Sequence, residues 1–103
     1  MSDFFLDRKG PKVTVVVGSE LSAGVVADLR ALLCAAQEDG VTELVLDFSR
    51  TKSVDAMGIR LLLAAHNSFS GAPKSLTLIQ VQRPIFSLLE TLRLDARLHA
   101  QAA

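Results

Sequence analysis

Leu44-Val45-Leu46-Asp47-Phe48-Ser49 and, after a short polar interval, Val54-Asp55-Ala56-Met57-Gly58-Ile59-Arg60-Leu61-Leu62 form the stretch that decides the fold. Its first part is a near-continuous apolar run flanked by polar residues, the pattern of a strand covered on at least one face. Its second part opens at an acidic residue and continues at helical spacing, with Ile59, Leu62, Leu63, His66 and Phe69 along one stripe. Asp55 stands where a carboxylate accepts from the orphan N–H groups of a new helix and complements its dipole. A strand thus runs into a loop, Ser49 to Val54, and the loop into a capped helix. Gly58 falls in the first helical turn, where it costs about 1 kcal/mol relative to Ala. Two readings of that glycine stand side by side: packing against the neighbouring strand, or close approach by a partner's backbone.

The same alternation extends outward. Lys12-Val13-Thr14-Val15-Val16-Val17 is short and β-branched, which predicts a strand. Phe4-Phe5-Leu6 is a candidate edge strand paired with it through a turn at Arg8-Lys9-Gly10-Pro11. Val25, Leu29, Leu32, Leu33 and Ala36 predict a helix with Ser22 as N-cap and Gly40 as its stop. Gly71-Ala72-Pro73 ends the second helix, and Ser75 to Val81 reads as a strand. Pro84 suits a first helical turn, after which Ile85, Leu88, Leu89 and Leu92 make one face. The order β(β)αβαβα predicts a small mixed, mostly parallel α/β sheet of four to five strands, with helices packed on one face. One domain over residues 3–99 is expected, with 100–103 as a tail. The uncovered sheet face must be polar or closed by a partner.

Composition narrows the function. The chain has 103 residues, half of them hydrophobic and 21% charged, which suits one folded domain. Lys+Arg and Asp+Glu both count 11, so the basic excess of a nucleic-acid binder is missing. One Cys and two distant His offer no disulfide framework and few metal ligands, and no cofactor is expected. Cys34 reads as a small packed hydrophobe. Asp47, at a strand end, reads as a carboxylate that satisfies loop N–H groups. The longest apolar run, Ala31 to Ala36, falls far short of the roughly 20 residues of a membrane span. No secretory pattern opens the chain, and a cytoplasmic, non-enzymatic domain is the expectation.

Leu46-Asp47-Phe48-Ser49 and Asp55-Ala56-Met57-Gly58 resemble the two signature blocks of the STAS family, the domain of sulphate transporters and anti-sigma factor antagonists. Val17-Gly18-Ser19-Glu20-Leu21 is similar to that family's Gly-Glu-Leu turn with one residue inserted or shifted. Leu76 to Ile79 and Ile85 to Leu94 resemble its fourth strand and last helix. The resemblance implies a bacterial protein-binding module docking on an anti-sigma or kinase-type partner. In the family's sporulation members, the residue after the loop Asp is phosphorylated by that kinase, and the unphosphorylated form binds it. Ala56 occupies that position here and has no hydroxyl, and Ser22 replaces the family's Asp after the turn. The implied partner surface comprises Glu20, Ser22, Ser53, Asp55, Ala56, Met57 and Gly58. Either the chain stays in the binding form, or Ser22, Ser49, Thr51 or Ser53 carries the control. Two alternatives stay open: a STAS subunit of a bacterial lipid ABC transport assembly, and a small enzyme or nucleotide-binding protein using Asp47 and Asp55. The oligomeric state is left open.

Overall fold

A computed structural model describes residues 4–69, 71 and 74–103. The expected domain start at Asp3 and the helix stop at Ala72-Pro73 lie outside the described residues. β1 (Phe5–Lys9) and β2 (Lys12–Val16) form an antiparallel hairpin. Gly10 opens its turn at φ +62, a backbone conformation that suits glycine, and Pro11 fixes the next φ. From β2 onward the strands run parallel, each joined to the next by a helix. α1 (Ala23–Glu38) leads to β4 (Glu43–Asp47), α2 (Ala56–Ser68) to β6 (Ser75–Val81), and α3 (Arg83–Thr91) to β7 (Ala100–Ala102). The resulting five-stranded sheet has the order β1-β2-β4-β6-β7. Parallel pairing requires such crossovers, and the alternation of strand and helix periods in the sequence encodes them.

Register decides which face is core. Val13, Leu44 and Leu76 align across three strands, as do Val15, Leu46 and Leu78, and all six are buried. They share one cluster with Leu29 and Leu33 of α1, Leu61 and Leu62 of α2, and Ile85 and Leu89 of α3. All three helices therefore cover the same face. The other face carries Thr14, Val45 and Thr77 in one row, and Val16, Asp47 and Ile79 in the next. Val45 is buried by its neighbours yet lies outside the core cluster. Phe5, paired with Val16 on that open face, is 61% exposed, with the Arg50 guanidinium 5.2 Å from its ring centre.

Three expectations change in detail. The buried stripe of α2 is Gly58, Leu61, Leu62 and Ala65, continued by Phe69, while Ile59, Leu63 and His66 lie half-buried on its flank. In α3 only Ile85 and Leu89 are buried; Leu88 and Leu92 are 36% and 46% exposed. A leucine-rich helix shows more apolar positions than its contact line uses, and periodicity alone cannot choose among adjacent stripes. In α1 the buried line is Val26, Leu29, Leu33 and Ala36, and Cys34 faces outward, not into the core as expected.

The segment expected as a tail, 100–103, instead contains β7. Ala100 sits beside Leu78 and Ala102 beside Val81, with a register irregularity between them where Gln80 takes φ +56. Leu94 and Leu98 are buried just before it. Ala-Gln-Ala carries no β-branched residue, so local composition gave no strand signal there.

Candidate functional site

The carboxyl ends of β2 and β4 lead into two loops that the backbone joins together. Beyond β2, Glu20 and Leu21 form β3 (Glu20–Leu21), and beyond β4, Ser53 and Val54 form β5 (Ser53–Val54). These pair in parallel as a separate two-stranded sheet, Glu20 beside Ser53 and Leu21 beside Val54. The Lys52 N–H donates to Ser19 O at 2.8 Å, and the Asp55 N–H donates to Leu21 O at 3.1 Å. Beneath them the fully buried Thr51 hydroxyl donates to Gly18 O at 2.8 Å. The Asp47 side chain accepts from the Ser49 N–H at 2.8 Å, the loop-satisfying role expected of it. From the third loop, the Gln82 amide donates to Ser49 O at 2.8 Å.

Asp55 stands at the junction. It is the N-cap of α2 in extended geometry, and its Oδ1 accepts from the Gly58 N–H at 2.9 Å. Its Oδ2 accepts from the Ala23 N–H, at 3.2 Å, in the first turn of α1. Ser22, expected to cap α1, makes no side-chain cap bond. One carboxylate therefore serves two helix N-termini, whose positive dipole ends converge on it. The Gly58 N–H above all holds the Asp55 carboxyl below its ordinary pKa; desolvation, the next largest effect, opposes it, and the N–H groups of Ala23 and Met57 add to the lowering.

Gly58 resolves between its two readings. A Cβ there would overlap the Leu21 carbonyl oxygen and lie 2.9 Å from Val54 Cγ1. The backbone that approaches is the chain's own, and Gly58 is buried. It supports the surface without being part of it. Glu20, Ser53, Asp55 and Ala56 are exposed, Met57 is 41% exposed, and Ser22 is half-buried. Residues from two loops thus meet at one corner of the molecule. Among the four hydroxyls considered as alternative switches, Thr51 is enclosed and engaged, while Ser49 and Ser53 are exposed. Sequence reasoning missed the roles of Thr51 and Gln82, since neither residue type is distinctive in a polar loop.

Among the described residues no group of three His, Cys, Asp or Glu is placed to hold a metal ion. No described helix is long and apolar enough to cross a membrane. The corner offers a committed carboxylate, a small exposed alanine and an exposed thioether. Such a surface is suited to contact, with Met57 as its adaptable apolar element.

The family model described as "Mlab, STAS domain" matches residues 4–100. The chain belongs to the STAS-domain family. Its fold is similar to that of the anti-sigma factor antagonist SpoIIAA in its unphosphorylated form, at a TM-score of 0.73 and 20% identity over 84% of this chain and 81% of that one. The Bacillus cell fate determinant SpoIIAA in its phosphorylated form gives 0.77 and 19%, over 97% and 91% of the two chains. An anti-sigma factor antagonist from Mycobacterium paratuberculosis gives 0.83 and 17%, over 97% and 85%. No curated protein sequence matches the chain significantly. At these identities the structural likeness establishes the STAS fold, with the mixed, mostly parallel sheet that the sequence pattern predicts.

Proposed function

We propose that this STAS domain is a regulatory protein-binding module of the anti-sigma factor antagonist kind. It docks through the Asp55–Met57 corner on an anti-sigma or kinase-type protein and holds it without the family's phospho-switch. One observation carries the reading: the exposed residue after the doubly bonded Asp55 is Ala56. An alanine has no oxygen to accept a phosphoryl group, and it matches an unmodified acceptor in charge and nearly in size. Phosphate at such a position would add about −1.5 to −2 charge beside a carboxylate and disrupt a packed contact by repulsion and desolvation. Without it, the corner stays in its docking form.

The test is capture of the partner by the immobilised chain from lysate of its source organism, with the bound protein identified by mass spectrometry. Wild type is expected to retain an anti-sigma or kinase-type protein, and Ala56→Asp and Met57→Asp to lose it while staying folded. Undiminished capture by both variants removes the corner as the docking surface. The Mlab designation of the matching family favours a second reading, the STAS subunit of a bacterial lipid-transport assembly. Capture of a transport ATPase in place of an anti-sigma protein decides for it.

A further inference from the structure

Between the exposed faces of α1 and α2 runs a trough that shares only Met57 with the Asp55 corner. It comprises two cavities of about 160 and 510 Å³, both lined by Arg30 and Cys34. Ala27 and Ala31 line one wall, Leu61 and Ala64 the other, and Met57 closes the end nearest the corner. Small side chains keep the walls low, so another helix can approach to ordinary packing distance. At the rise of an α-helix, the stretch from Ala23 to Gln37 gives the trough a length of about 21 Å. Arg30 is the one charged residue lining either cavity. It makes no ion pair or hydrogen bond among the described residues.

We infer that the trough takes an amphipathic helix of the protein partner, with apolar residues along its seam and an Asp or Glu opposite Arg30. Arg30 is exposed in the free chain; a helix seated in the trough covers its guanidinium, which a carboxylate then satisfies by accepting its planar fork. Helices seat in such grooves through anchors at i, i+3, i+4 and i+7, and the trough is long enough for about four turns. A second copy of this chain fits less well. Arg30 lies near the middle of the trough, and two-fold packing there would set two guanidiniums against each other. The inference rests on the protein-binding reading above and extends its surface from the corner along both helices.

The experiment titrates the ¹⁵N-labelled full chain with two synthetic amphipathic helices of about 14 residues. They share a leucine seam and differ in one central residue, Glu or Lys. The Glu peptide should shift the amides of Ala27, Ala31, Cys34 and Ala64 and bind at least ten-fold more tightly than the Lys peptide. Arg30→Gln should abolish that preference, and Arg30→Glu should invert it. Equal affinity for the two peptides, no binding, or shifts elsewhere would overturn the inference. So would a dimer in sedimentation whose trough amides are protected. Ala56→Asp, outside the trough, separates the two proposals. Peptide binding without Ala56-sensitive capture counts against the corner alone, and the reverse counts against the trough alone.

Discussion

The carboxylate of Asp55 bonds the N–H of Ala23, 32 residues earlier in the chain, as well as the N–H of Gly58 in its own helix. The first turns of α1 and α2 thus share one anchor, and the loops on either side are fixed by the β3–β5 pairing next to it. Charge, helix packing and the shape of this corner all meet at this residue.

Asp55→Ala should lower the melting temperature at neutral pH, because two helix termini lose their acceptor together. The folded-state pKa of Asp55 lies below its ordinary value. Its contribution is therefore present above the ordinary carboxylate pKa, about 4, and is lost as pH falls through the lower folded-state value. Thermal melts of wild type and Asp55→Asn between pH 7 and pH 2 should converge as the pH drops. A constant gap across that range would mean that the carboxylate's charge has no part in the capping.

Gly58→Ala should destabilise by about 1–3 kcal/mol, the range for overpacking a tight site. The obstructing atom is the backbone oxygen of Leu21, which cannot rotate away as a side chain can. Urea denaturation measures the effect. A midpoint equal to that of wild type would mean that β3 is free to move off α2.

Two leucine pairs separate buried from exposed apolar positions. Leu62→Ala and Leu89→Ala, both fully buried, should cost about 2–5 kcal/mol each. Leu88→Ala and Leu92→Ala, which face outward, should stay within about 1 kcal/mol of wild type. The reverse ranking in chemical denaturation would place α3 the other way round on the sheet.

Much of this fold was legible in the sequence for physical reasons. Leu44–Leu46 and Leu76–Leu78 carry the apolar density that a covered parallel sheet needs, and Asp55 and Gly58 mark a helix start under close packing. Which stripe of α2 faces inward was less legible, since Ile59 and Leu63 are as apolar as Leu61 and Leu62. β7 was invisible because Ala100–Ala102 is held by its parallel register with β6, not by propensity. At the site, Asp55 was found through its spacing, but its bond to Ala23 is a tertiary contact that no local pattern encodes. The buried hydroxyl of Thr51 was hidden for the same reason, its partner Gly18 lying 33 residues away.

Thr51→Val keeps the shape of the side chain and leaves the Gly18 carbonyl without its donor. A loss of about 1–3 kcal/mol is expected, the cost of a buried acceptor left unsatisfied. Calorimetry checks it. An unchanged melt would show that solvent reaches that carbonyl and that the two loops are held by their backbone pairing alone.

The most direct test of the constitutive docking corner is intact-mass and peptide mass spectrometry after incubation with the captured partner and ATP. The expected result is an unmodified chain that stays bound to its partner with and without ATP, while Ala56→Asp binds weakly under both conditions. A phosphate on Ser22, Ser49 or Ser53, accompanied by release of the partner, would contradict it and place the switch on a neighbouring hydroxyl.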